Sequence, residues 1–87
     1  MNRRAMPKKL GHKMKQIRLR LGMSQREIVE ALNYTATPLR ASQISQYEQG
    51  QREPTMMLVL AYARLARIST DVLIDDKMKL GNLGRKV

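Results

Sequence analysis

The sequence predicts an all-α domain of five short helices, with an enlarged loop between the second and the third. Three observations predict it. Apolar residues recur at three- and four-residue steps along most of the chain, the spacing of one helix face. A Ser, Thr or Pro stands ahead of each later apolar run, and Gly or Asn closes several of them. The 87 residues include no cysteine, so the chain has room for one modest core that must be held by packing.

The elements follow in order. Residues 1–7 read as a flexible basic arm ending at Pro7. From Lys8, the residues Leu10, Met14, Ile17 and Leu21 mark one face of a first helix, and Gly22 stands where a left-handed cap is expected. Met23 plugs the turn. Ser24 then opens a second helix as N-cap, with Glu27 three residues on completing a capping box. Ile28, with Val29 or Leu32, supplies its apolar side, and Asn33 suits its end. The stretch Asn33 to Thr37 has little periodicity and reads as loop. Thr37-Pro38 signals a third helix, with Thr as N-cap and Pro at the first helical position, running to about Glu48. Ile44 and Tyr47 face inward on it, Ala41 lies beside them, and Ser42, Gln43, Ser45 and Gln46 point mostly outward. Gly50 ends it.

Pro54-Thr55 opens the fourth helix. Met56, Val59, Leu60, Ala63 and Ala66 form one apolar face, and Leu58, Tyr62 and Leu65 a second, so both sides should be covered. The second side, together with the C-terminal helix, is a candidate homodimer surface or the seat of a protein partner. Ser69-Thr-Asp caps a last short helix carrying Val72, Leu73 and Ile74. The domain thus runs over residues 8–76, and residues 77–87 read as a flexible basic tail.

Charge narrows the function. Seventeen Lys and Arg against seven Asp and Glu give a net +10, which calls for a polyanionic partner. The first twenty residues carry Arg3, Arg4, Lys8, Lys9, Lys13, Lys15, Arg18 and Arg20 and no acid. No stretch approaches the roughly 20 continuous apolar residues of a membrane span. The basic segments also lack a Phe or Trp face for a membrane surface. The absence of cysteine fits the cytoplasm. His12 is the only histidine and has no matching ligand set. The seven Met residues read as core filler. No Gly-rich phosphate loop, paired Asp and His, or metal-ligand spacing is present, so neither an enzyme nor a cofactor is expected.

The outward side of the third helix is unusual for an ordinary solvent face, where Lys and Glu are commoner. A Gln amide donates and accepts at once and so matches adenine in the major groove, while small Ser side chains permit close approach. The run Ile17-Arg-Leu-Arg-Leu-Gly-Met-Ser-Gln-Arg-Glu-Ile28, followed by Ser42-Gln-Ile-Ser-Gln-Tyr-Glu-Gln-Gly-Gln-Arg-Glu-Pro54, resembles the lambda-repressor-like (Cro/CI, or XRE) helix-turn-helix family over roughly residues 8–76.

The resemblance implies a double-stranded DNA-binding transcriptional regulator, most simply a repressor, with the third helix in the major groove. It implies that Gln25 touches a phosphate and that Ala41, Ser42, Gln43 and Gln46 face base edges. It implies that Arg18 and Glu48 form a structural ion pair, and that Gly50, Gln51 and Arg52 form a loop whose backbone amides hold phosphate. Arg26, Thr37, Arg40 and Ser45 complete the candidate contacts. One departure stands out. Leu32 to Glu48 is longer than that family's usual spacing, and the extra residues lie in Tyr34 to Arg40. They either add a helical turn that turns Leu39 outward to the groove, or leave a loop that folds Leu39 back. A second function class, an adaptor or antitoxin-like module that mainly binds protein, rests on the second apolar face at Leu58, Tyr62 and Leu65. RNA binding is disfavoured, because a chain whose aromatics are three Tyr has few rings for base stacking.

Overall fold

A computed structural model describes residues 8–81. The arm at 1–7 and the part of the expected tail at 82–87 lie outside the described residues. Five helices follow one another: α1 (Leu10–Arg20), α2 (Gln25–Leu32), α3 (Ala41–Glu48), α4 (Met56–Ala66) and α5 (Thr70–Ile74). None is long and apolar enough to cross a membrane.

Local chemistry sets most of the ends. Leu10, Met14 and Ile17 are buried, and the helix they define stops at Gly22, whose φ of 73° only glycine adopts without strain. There the Gly22 amide donates to Leu19 and the Met23 amide to Arg18, closing α1 in a Schellman turn. The capping box of α2 forms as expected: the Glu27 amide donates to Ser24 Oγ at 3.0 Å and the Ser24 amide to Glu27 Oε1 at 2.8 Å. Asn33 ends α2 in the left-handed region. Thr55 caps α4 by accepting from the Leu58 amide.

α1 packs on α3, α4 and α5, α2 on α3 and α4, and α4 on α5. The core they enclose is Leu10, Met14, Ile17, Ile28, Leu32, Ile44, Tyr47, Leu58, Val59, Tyr62, Ala63, Ala66 and Leu73.

Two expectations need correction. α3 begins at Ala41, not at Pro38, so residues 33–40 are loop and Thr37 is not its N-cap. The local Thr-Pro signal loses to two anchors. The Tyr34 hydroxyl bonds Thr55 Oγ1 at 2.9 Å, which lays the loop against the start of α4. Leu39 folds back and packs partly against the core. A cap of this kind contributes about 1 kcal/mol. Burying a leucine contributes about 1.5–3 kcal/mol when complete, so even partial burial competes with the cap. The second correction concerns α4. Leu58 and Tyr62 belong to the core and cannot form a surface with Leu65, which is half-buried. The buried arc of α4 is Leu58, Val59, Tyr62, Ala63 and Ala66, while Met56, expected inside, is 70% exposed.

Beyond α5 the chain is packed at least to Leu80, which lies partly against the core, so the stretch 77–81 of the expected tail has a place in the fold.

Candidate nucleic-acid interface

α3 presents one side to the core and the other to solvent. Ile44 and Tyr47 are buried, and Ser42, Gln46 and Gln49 are exposed on the opposite face, four and three residues apart. Gln49 extends the polar stripe that the sequence suggested. Its spacing of seven from Ser42 was the available signal, obscured because it sits just past the helix end.

The rest of the candidate set divides by what each side chain already does. Arg26, Thr37, Arg40, Gln51 and Arg52 are exposed. Ala41, Gln43 and Ser45 are half-buried. Gln43 uses its Oε1 to accept from the Arg40 amide at 2.9 Å, which is half a capping box. The other half is missing, since an Arg side chain has no acceptor to return. Ser45 Oγ accepts from Gln49 Nε2 at 2.8 Å. Gln25 donates its Nε2 to Glu48 Oε1 at 3.2 Å, so one of its two amide hydrogens is committed inside the protein.

The Gly50 amide donates to Tyr47 and the Gln51 amide to Gln46, a Schellman turn that ends α3 with Gly50 at φ 76°. Those two amides are therefore engaged in closing the helix. Gln51 and Arg52 remain exposed beside it.

What fixes α3 in orientation is the Glu48 carboxylate. Arg18 Nε donates to its Oε2 at 2.7 Å and Arg18 Nη2 to its Oε1 at 3.0 Å, which makes the ion pair that the family resemblance implied bidentate. Arg18 Nη1 also donates to the Met23 carbonyl at 3.0 Å. With Gln25 added, one carboxylate joins α1, α2 and α3. The side chains are 11% and 3% exposed. The hydrogen bond to Glu48 holds the Arg18 guanidinium above its ordinary pKa, against the opposing effect of burial.

A second hydrogen-bonded joint, invisible in the sequence pattern, lies at α5. Lys13, 4% exposed, donates its Nζ to the carbonyls of Val72 at 2.6 Å and Asp75 at 2.9 Å. A cation there meets the negative end of the helix. Gly11 completes the frame. A Cβ at that position would sit 2.4 Å from the Tyr47 carbonyl oxygen, so α1 crosses the end of α3 backbone to backbone.

α3 carries no acid in its first turn, and its only acid, Glu48, is turned inward to Arg18. The positive end of the helix dipole therefore lies beside Arg40 with no acid in that turn to offset it. Arg40 stands just ahead of α3, Arg52 lies in the loop after it and Arg26 on α2, and all three are exposed.

A family model described as helix-turn-helix matches residues 14–73, from the middle of α1 into α5. Comparison with curated proteins and with solved structures gives no match.

Proposed function

The chain belongs to the lambda-repressor-like (Cro/CI, XRE) helix-turn-helix family, whose kind of function is DNA-binding transcription regulation, and from that premise we propose a sequence-specific repressor that lays α3 in the major groove of double-stranded DNA. The observation that carries this reading is the division of α3, with Ile44 and Tyr47 in the core and Ser42, Gln46 and Gln49 exposed. Gln46 reads a base edge, and Ser42 allows the backbone to come close. Arg26, Arg40 and Arg52 neutralise phosphates on either side, which sets register and supplies most of the affinity. Repression follows from occupancy, since a groove filled by α3 is closed to other proteins.

The test separates readout from charge. Duplexes are selected from a random pool, and Gln46→Ala is measured on the selected site and on random duplex. The expected loss is about 1–3 kcal/mol on the selected site and little on random DNA. Equal losses on both would sink base readout by α3. Arg52→Gln is expected to weaken binding to all duplexes alike and to flatten its salt dependence.

A second reading, the adaptor or antitoxin-like module, is favoured by one observation. Met56 and Met57 are 70% and 59% exposed, and Met57 borders a groove of about 480 Å³ with Leu60, Ala61 and Leu65. A stoichiometric protein partner, together with DNA binding blind to sequence, would favour that reading over the first.

A further inference from the structure

We propose that the cleft between α1 and the segment following α5 is a second anion site, separate from the α2–α3 face, and that it takes a phosphate group. The segment is laid along α1 by its two ends. At one end, the Asp76 carboxylate accepts from the amides of Lys8 and Lys9 at 3.0 Å each. At the other, the Arg20 guanidinium donates to the Gly81 carbonyl. The segment opens in a turn, the Met78 amide donating to the Asp75 carbonyl at 3.0 Å, and Leu80 packs partly against the core.

The cleft this makes is about 200 Å³, lined by Lys9, His12, Lys13, Gln16 and Arg20 from α1 and by Met78, Lys79 and Leu80 from the segment. Cations stand on both walls, and among the described residues no carboxylate lines it. Asp76 is the nearest acid along the chain, and its two oxygens are engaged by backbone amides. The Lys13 ammonium is engaged by the α5 carbonyls, so it adds charge more than contact. Lys9 and Lys79 are exposed. Packing thus brings like charges together across a narrow gap, an arrangement that is unfavourable until an anion enters it. Ammonium and guanidinium groups around a tetrahedral oxyanion are ordinary phosphate ligands. The volume exceeds that of a few waters but falls short of the roughly 300–1,000 Å³ of pockets for larger organic ligands. A phosphate group fits, either from a nucleic-acid backbone or from a free oligophosphate.

The test titrates inorganic tripolyphosphate into the full chain at low salt by calorimetry. One saturable site is expected, weakened about tenfold or more, or 1.4 kcal/mol per tenfold, by the pair Lys9→Gln and Lys79→Gln. The pair Lys15→Gln and Arg64→Gln removes the same charge from exposed positions outside the cleft and is expected to change affinity less than about threefold, near 0.7 kcal/mol by the same conversion. Thermal melts confirm that both pairs fold. No saturable site, or equal weakening by the two pairs, overturns the proposal. The phosphate's source is read on a short random duplex. If it is the DNA backbone, the cleft variant lowers the slope of log affinity against log salt by about 1–2, and duplex displaces tripolyphosphate. If it is a free oligophosphate, the slope is unchanged and tripolyphosphate still binds the DNA-bound chain. The tripolyphosphate titration contains no DNA, so its failure is distinct from failure of major-groove readout by α3.

Discussion

At Glu48 one carboxylate accepts from Arg18 on α1 and from Gln25 on α2 while standing at the end of α3. Water could not replace those donors at a side chain 3% exposed. Removing Arg18 alone leaves that charge buried and unpaired, so Arg18→Met is expected to destabilise by about 3–5 kcal/mol. The double variant, Arg18→Met with Glu48→Leu, removes the stranded charge and is expected to lose less than the sum of the two single variants. Urea denaturation of the four proteins in the cycle measures this, and strict additivity would show that the pair is not coupled. Tyr62 presents the opposite case. Its ring is fully buried, its hydroxyl has no hydrogen-bond partner among the described residues, and burial pushes its pKa well above the usual phenol range. An unsatisfied hydroxyl contributes nothing favourable to folding, so Tyr62→Phe is expected to leave stability unchanged or raise it by up to about 1–2 kcal/mol. A loss larger than 1 kcal/mol in the same measurement would mean that the hydroxyl is satisfied in solution.

At the scale of elements, the crossing of α1 over α3 makes an opposing pair of effects comparable. Alanine is about 1 kcal/mol better than glycine inside a helix, so Gly11→Ala would stabilise an isolated α1. Against that, the new Cβ would meet the Tyr47 carbonyl oxygen at 2.4 Å and the Glu48 carbonyl oxygen at 3.0 Å, backbone atoms that move only if α3 moves. Overpacking of this kind costs typically about 1–3 kcal/mol, so net destabilisation is expected, and with it weaker DNA binding on the proposed placement of α3 in the groove. A rise in the urea midpoint would show that α1 and α3 separate freely. The same element explains what could be read in advance. Signals complete within a few residues were legible: Ser24 with Glu27, Gly22, Asn33 and Thr55 each end or start a helix where expected. The Arg18–Glu48 pair was legible through the family resemblance, and Ser42 and Gln46 through the helical spacing around Ile44 and Tyr47. Features set by tertiary contact were not. Thr37-Pro38 has the composition of a helix start, but Leu39 and Tyr34 find partners elsewhere in the fold. Leu58 and Tyr62 look like a spare face until α1 and α5 are placed against α4. Nothing in the spacing of Lys13 announces that its ammonium will cap a helix 59 residues away.

Over the whole molecule, a net charge of +10 opposes compactness and favours polyanions at once. The closure of the last helix onto the first meets that opposition with hydrogen bonds. Lys13 reaches the α5 carbonyls, and Asp76 reaches the opening amides of α1. The second joint makes stability depend on pH in a definite direction. The amides of Lys9 and Lys8 hold the Asp76 carboxyl below its ordinary value of 3.8, with the charges of Lys13 and Lys9 adding to the effect. A carboxyl whose pKa is lower in the folded state binds fewer protons there than in the unfolded chain. Its contribution is therefore complete above the unfolded value and is lost as pH falls through the folded one. Between pH 5 and 8 this group should leave the melting temperature unchanged, and the decline should begin near pH 4 and continue below it. Protonation also adds positive charge to a chain that already has an excess, which steepens the acid limb. Asp76→Asn keeps one carbonyl acceptor and abolishes the titration, so its melting temperature is expected to be lower at neutral pH and to approach that of the unmodified chain as both are acidified. Thermal melts from pH 7 to pH 2.5 check this. If the difference between the two proteins stays constant across that range, the Asp76 carboxylate does not hold the start of α1 in solution.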